Sequence, residues 1–301
     1  MSEPLPPALD AELLTTHGQS GQLSYYVGGN GPPMLLLHSI NAAGSAYEVK
    51  PIFDAMRQSH TVYVPDLPGF GHSDRSDREY TVSLYVAAIE DMLDVIARAH
   101  GSHGIDSLAL SLSSEFLARA ARNHPERFRS LALVTPTGLN RSSSQLVGDE
   151  GETREMALLS SFLRIPGLNQ GLFGLLVKPG VIRYFLKRTW GTDSYDEALA
   201  HYDDLTTHQS GAMYAPLAFL SGKLFSKDIR RVYESIRLPI WVPHGTRGDF
   251  RDFSGADWTH DRGNWQLQPF ESGALPHFED ADGFSYSYRA FLAGVTEQSP
   301  A

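Results

Sequence analysis

Short apolar runs alternate with segments of helical periodicity over the first half of this chain. Residues 34–37 are apolar at every position, which is typical of a strand buried on both faces of a sheet. Residues 105–110 form a second, mainly apolar run, and the segment 82–99 between them carries Val86 and Ile89 at helical spacing. This alternation predicts an α/β fold, with a parallel sheet covered by helices on both faces.

The alternation is interrupted by residues 139–225, which are helical in pattern and rich in leucine and phenylalanine. Strand-like runs return at residues 239–242 and 265–270. We therefore expect a core domain made of residues 1–138 and 226–301. The segment between them is predicted to be an inserted helical cap subdomain.

Composition excludes several classes of protein and site. The 301 residues carry a formal net charge of −10 and no cysteine, which excludes disulfides, cysteine nucleophiles and thiolate metal sites. The densest basic stretch, Lys227 with Arg230 and Arg231, is short. Nucleic acid and anionic membrane are therefore poor partner predictions.

No targeting or membrane segment is expected. Residues 1–10 are acidic and rich in proline, with no basic segment leading into an apolar one, so a secretory signal is not predicted. The apolar runs are too short to span a bilayer. The sequence thus predicts no membrane insertion and a cytoplasmic location.

Ser111 follows the run 105–110 directly and opens a helix-like segment. A serine on a sharp strand-to-helix turn can present its hydroxyl at the head of a sheet as a nucleophile. Small residues two positions before and after such a serine let strand and helix approach closely, and here they are Ala109 and Ser113. The alternative is that Ser111 merely caps the helix.

A serine nucleophile needs a histidine to take its proton and a carboxylate to orient that histidine. His277 lies downstream in a predicted loop between the last strand and the last helix. Asp249, just beyond the strand 239–242, is the preferred acid, and Asp252 is the second choice. Each of the three could instead be an ordinary loop residue.

The developing oxyanion of the attacked carbonyl needs hydrogen-bond donors, which are usually backbone amides. Leu112, directly after Ser111, supplies one of them. The second is expected in the loop after residues 34–37, from the amide of Ile40 or Asn41. The side chain of Asn41 is a further candidate donor.

Five segments resemble successive landmarks of the α/β-hydrolase family with a helical cap. They are residues 37–41, 66–73, the turn at Ser111, residues 238–245 and residues 276–279. The resemblance extends over roughly residues 20 to 295. It implies an eight-stranded, mostly parallel sheet with helices on both faces and a cap inserted after the sixth strand.

Three departures from the family pattern concern places where backbones approach closely. Ser39 stands where a glycine is usual, Ala109 and Ser113 replace the glycines of the serine turn, and Gly248 is an extra residue before Asp249. The serine itself argues against family members that use an aspartate, because an alkyl-enzyme ester requires a carboxylate nucleophile.

The first functional hypothesis is a serine hydrolase that cleaves a small, apolar carboxylic ester through an acyl-enzyme. A carbon-carbon bond hydrolase, a thioesterase or a cofactor-free lyase could use the same triad, since fold does not fix the reaction. A non-catalytic small-molecule-binding protein of the same fold is the alternative from another class. The histidines and aspartates between His244 and Asp261 match no metal-ligand spacing, so neither a metal nor another cofactor is predicted.

Overall fold

The computed structural model of the protein describes residues 4–163, 165 and 167–298, and its centre is an eight-stranded sheet. The spatial order is β1-β2-β4-β3-β5-β6-β7-β8, with β1 and β2 antiparallel to their neighbours and the remaining strands parallel. The predicted α/β fold with a mostly parallel sheet is therefore confirmed. The strands are β1 Glu12–Gly18, β2 Gly21–Gly28, β3 Pro33–Leu37, β4 Thr61–Pro65, β5 Ile105–Leu110, β6 Phe128–Val134, β7 Ile240–Gly245 and β8 Trp265–Phe270.

Helices cover both faces of the sheet and fill the connection between β6 and β7. Three short 3₁₀ turns span Ala46–Val49, Pro125–Arg127 and Asp257–Thr259. The helices are α1 Lys50–Met56, α2 Val82–His100, α3 Ser113–Asn123, α4 Arg141–Ser144, α5 Ala157–Leu163, α6 Leu168–Leu176, α7 Pro179–Trp190, α8 Glu197–Thr207, α9 Tyr214–Leu220, α10 Ile229–Ser235, α11 Pro276–Glu279 and α12 Ala281–Gln298.

Two apolar layers hold the helices to the sheet. Helices α2, α3 and α10 pack on one face, where Tyr85 and Phe116 stack with ring centroids 4.8 Å apart. Helices α1 and α12 cover the other face, where the buried Trp241 of β7 stacks on Tyr288 of α12. Burial of both faces explains why the central strands are nearly continuous in apolar residues.

The segment between β6 and β7 forms the helices that the sequence predicts as a cap. Helices α5, α6 and α7 contact one another in succession, and α7 packs on α8. The chain boundaries at residues 138 and 226 stay a prediction. Among the described residues, no helix combines the length and the apolar character needed to cross a bilayer.

Asp66, fully buried just after β4, fixes the loop that leads away from that strand. Its carboxylate accepts hydrogen bonds from the amides of Ala46 and His72, at 3.1 and 2.9 Å, and its carbonyl accepts one from the Ser73 hydroxyl. Burial alone would raise the pKa of Asp66, but the bonds from His72 outweigh it and hold that pKa below its ordinary value. The residue is structural and ties this loop to the turn Ala46–Val49.

Replacing Asp66 by asparagine should lower the free energy of unfolding by about 1–3 kcal/mol, because two buried amides lose their charged acceptor. Since the folded-state pKa of Asp66 is depressed, its contribution is complete above roughly pH 4 and is lost as the pH falls through the folded-state pKa. Denaturant unfolding at several pH values measures both effects. The exposed Asp77→Asn is the control, and equal stability of the two variants would contradict the assigned role.

Candidate active site

Ser111 occupies a strained turn at the carboxyl end of β5. Its φ is +50°, a value that few residues other than glycine adopt and that costs about 1–3 kcal/mol. The Ser111 amide donates to the carbonyl of Val134 at 2.9 Å, which holds the turn against the end of β6. The residue is half-buried, and its hydroxyl has no hydrogen-bond partner among the described residues. This geometry leaves the hydroxyl available for attack.

Ala109 and Ser113 stand where glycines are usual beside the serine, and hydrogen bonds hold the chain together at both residues. Ala109 is fully buried in β5. The Ser113 hydroxyl donates to the carbonyl of His38 at 2.5 Å, and the Ser114 hydroxyl donates to the carbonyl of Ala109 at 3.2 Å. The serines therefore fasten the start of α3 to the ends of β3 and β5, so the tight turn forms without the usual glycines.

Two buried backbone amides lie at the neighbouring ends of β3 and β5. Leu112 follows Ser111, Ile40 follows β3, and both residues are 1% exposed or less. Among the residues that the structure describes, neither amide donates a hydrogen bond. Unpaired buried amides are rare and costly, so a pair beside a strained serine has the character of a preformed oxyanion hole.

Glu48, which the sequence analysis did not single out, shapes the loop that carries Ile40. Its buried carboxylate accepts from the Ser39 amide at 2.7 Å, the Ser39 hydroxyl at 3.0 Å and the Asn41 side-chain amide at 2.7 Å. The Asn41 side chain is thus engaged within the loop instead of pointing a donor at the oxyanion position. No local sequence pattern indicates this role of Glu48, because a single glutamate on a short turn is usually exposed to solvent.

His277 does not lie in a loop, as predicted, but on the short helix α11, which Pro276 begins. Its ring is 1% exposed, and its Nε2 donates to the carbonyl of Glu48 at 2.8 Å. Its Nδ1 is buried without a partner among the described residues. Burial lowers the pKa of His277 to about 4, against the opposing effect of the bond to Glu48. The imidazole is therefore neutral, and among the described residues it forms no hydrogen bond with Ser111.

Neither predicted acid contacts His277. Asp249 is 40% exposed in its side chain and pairs with Arg188 of α7 at 2.5 Å. The exposed Asp252 accepts from the amide and hydroxyl of Ser254. The serine, histidine and acid predicted from the sequence thus do not form one hydrogen-bonded chain among the described residues: His277 and Asp249 are bonded to other groups, and the Ser111 hydroxyl has no partner.

Residues 135–137, which follow β6 beside Ser111, carry no acidic or basic side chain. Thr135, with a φ of +45°, donates its hydroxyl to the carbonyl of Ala274 at 2.8 Å. Ala274 donates its amide to the carbonyl of Thr189, and the amide of Asp249 donates to the carbonyl of Arg188. The carboxyl end of α7 therefore rests on the strand ends where a base and an acid would be needed.

The same close approach explains the extra glycine before Asp249. Gly248 has a φ of +76°, and a Cβ there would lie 2.6 Å from the carbonyl oxygen of Arg188 and 2.8 Å from that of Thr189. Only glycine fits under the end of α7 at this point.

A second buried carboxyl belongs to the cap. Asp203 of α8 is 5% exposed, and its Oδ1 has no partner among the described residues. Burial, with the nearby carboxylates of Glu48 and Asp196, raises the pKa of Asp203 well above its ordinary value. The neutral form of Asp203 is thereby favoured beside Glu48.

Comparison with known proteins agrees with this architecture. The sequence model of a family described as having the alpha/beta hydrolase fold matches residues 32–165. Curated relatives include the "Uncharacterized protein Rv2715" of Mycobacterium tuberculosis, which is 25% identical over 296 residues, covering 93% of this chain and 79% of the relative. The fold, the serine turn and this match define one class of structure: the protein has the α/β-hydrolase fold.

Solved structures of hydrolases have the same fold. An enol-lactonase from Burkholderia xenovorans superposes with a TM-score of 0.70 at 18% identity, covering 93% of this chain and 100% of the other. A putative lipase from Acinetobacter baumannii reaches 0.73 at 22% identity, covering 96% and 93%. A meta-cleavage product hydrolase from Pseudomonas fluorescens reaches 0.71 at 17% identity, covering 93% and 97%.

The buried state of His277 gives a pH-dependent stability. Because its folded-state pKa of about 4 is below the ordinary value, the unfolded chain takes up a proton first as the pH falls from 6.5 to 4. Stability should drop over this window by up to about 3 kcal/mol. Histidine NMR titration and denaturant unfolding measure the ring pKa and the loss.

His277→Gln should remove the acid-dependent part of the loss, because glutamine keeps a donor but does not titrate. The exposed His103→Gln is the matched control and should keep the wild-type slope. A His277 ring that titrates near pH 7 would contradict the buried, neutral assignment.

Proposed function

We propose that the protein is a hydrolase in which Ser111 attacks a small carboxylic ester, or a related carbonyl compound, that carries an apolar acyl or alcohol group. The Ser111 hydroxyl would add to the carbonyl carbon, the amides of Leu112 and Ile40 would hold the oxyanion, and loss of the alcohol would leave an acyl-enzyme. Water would then release the acid and regenerate Ser111.

One observation carries this proposal: the strained Ser111 turn lies beside two buried amides without partners. Strain at a residue and unpaired buried amides both destabilise a fold, so their combination at one point is the mark of a functional site. The neighbouring side chains of Ile40 and Leu112 are apolar, which favours an apolar substrate group.

The proton of Ser111 has no dedicated acceptor in this arrangement. For His277 to act as the base, its Nε2 would have to leave the Glu48 carbonyl, and Asp249 would have to leave Arg188 to orient it. We therefore assign to solvent water both the removal of this proton from the half-buried Ser111 and the return of a proton to the departing alcohol. An oxyanion hole and substrate binding alone accelerate such reactions by about 10³–10⁴-fold over water, so we expect slow turnover and a long-lived acyl-enzyme.

A second candidate is a non-catalytic protein that binds a small carbonyl or carboxylate compound. One observation favours it: Gly248 and Ala274, which lie against the end of α7, carry no polar side chain that could act as a base or an acid. In this case the amides of Leu112 and Ile40 would bind the ligand's oxygen, and Ser111 would stay unmodified.

Mass spectrometry of the intact protein after incubation with a fluorophosphonate or with p-nitrophenyl butyrate distinguishes the two candidates. The hydrolase should gain a single adduct that maps to Ser111, and Ser111→Ala should gain none. Ser114→Ala is the control and should still be labelled, because its hydroxyl only bonds the Ala109 carbonyl. Ligand binding with no adduct on Ser111 would sink the hydrolase and favour the binding protein.

Ester turnover by acid variants tests the proton-transfer assignment separately. Asp249→Asn and Asp252→Asn should both keep turnover within about threefold of wild type, because each carboxylate is exposed and bonded elsewhere. Removal of an orienting acid from a working triad costs about 10⁴-fold instead. A large loss confined to Asp249→Asn would show that the relay does form during catalysis.

A further inference from the structure

The cap carries an apolar surface that the proposed site does not use. Of eleven large apolar side chains that are exposed among the described residues, eight lie between positions 156 and 185. They include Leu158, Phe162, Ile165, Leu168, Leu175 and Phe185, and we call this group the cap surface. Leu158 is 90% exposed and Leu175 56%. Single exposed leucines are ordinary, but a concentration of this kind marks an interaction surface.

The spacing of these residues puts them on common helix faces. Leu158 and Phe162 are four positions apart on α5, and Leu168 and Leu175 are seven apart on α6. Both spacings return to the same side of an α-helix. Because α5, α6 and α7 contact one another in succession, the cap surface extends across neighbouring helices.

The charge of this part of the chain is opposite to that of the whole. Residues 156–192 contain five basic residues and no acidic one, within a protein of net charge −10. Lys178, between α6 and α7, is exposed and has no ion pair among the described residues. The three ion pairs of α7 among the described residues, Arg183 with Glu197, Lys187 with Asp193 and Arg188 with Asp249, are exposed and therefore weak.

We propose that the cap surface docks on an anionic lipid bilayer. Its apolar side chains would enter the boundary between headgroups and acyl chains, while its lysine and arginine groups meet the lipid phosphates. The basic character argues against a second copy of the chain as the occupant, because two copies would bring like charges together. Acidic residues more than about 8 Å away weaken docking little, because salt screens their charges. The acidic partners of the α7 side chains form exposed, weak ion pairs, which lipid phosphates would replace on docking.

Docking would bring the candidate active site near the lipid. The carbonyls of Arg188 and Thr189, at the end of α7, accept hydrogen bonds from the amides of Asp249 and Ala274 at the strand ends. The helix that bears Phe185 on the cap surface therefore also contacts the residues that follow β7 and β8, at the sheet edge where Ser111 follows β5. Docking itself does not depend on hydrolysis.

Co-sedimentation of the full chain with vesicles tests the proposal. Two compositions are compared: phosphatidylcholine alone, and phosphatidylcholine with about one third phosphatidylserine. Binding to the anionic vesicles should be at least about tenfold tighter and should weaken with added salt. Leu158→Gln with Leu175→Gln should weaken it by about tenfold, and Lys178→Glu should weaken it and flatten its salt dependence.

Matched surface variants outside the cap serve as controls. Tyr286→Gln removes a side chain that is 77% exposed on α12, and Arg237→Glu reverses an exposed charge before β7. Both should bind like wild type. Equal binding to the two vesicle types, or equal losses in cap and control variants, would overturn the proposal. So would concentration-dependent self-association, without vesicle binding, that Leu158→Gln abolishes, because the occupant would then be a second copy.

Discussion

The hydrogen bonds of Glu48 determine what the candidate site can do. Its carboxylate, buried on a 3₁₀ turn, is stable there because Ser39 and Asn41 supply three donors. Those bonds shape the loop that carries the Ile40 amide. Its carbonyl at the same time accepts the Nε2 proton of His277. One residue thus shapes the loop that carries the Ile40 amide and also binds the His277 imidazole.

The sheet was predictable from sequence because its strands are buried on both faces and so need apolar residues throughout. The first strand, Glu12–Gly18, escaped prediction because it lies at the exposed edge of the sheet and pairs on one side only. The helical segment after β3 is divided into the 3₁₀ turn Ala46–Val49 and α1, because Pro51 lies in the first turn of α1 and lacks an amide proton.

Within the site, the sequence predicted the turn at Ser111, because that turn depends only on the end of one strand. It did not predict the surroundings of His277 and Asp249, because these depend on the paths of loops and helices distant in sequence. Ser111 and Leu112 follow β5 directly, so their geometry is fixed by a local turn. The orientation of His277 depends on helix α11, and that of Asp249 on the approach of α7, neither of which a spacing reveals.

The contact between α7 and the strand ends holds this helix against the core sheet through main-chain hydrogen bonds. Its hydrogen bonds join main-chain atoms of Arg188 and Thr189 to those of Asp249 and Ala274, so no side-chain substitution alone can remove them. Moving α7 away from the strand ends would break both bonds together and expose the amides of Asp249 and Ala274 to water. The hydrogen-exchange rates of these two amide protons therefore report how often α7 moves away from the strand ends. They also set an upper limit on how fast a bulky molecule can pass between α7 and the strand ends.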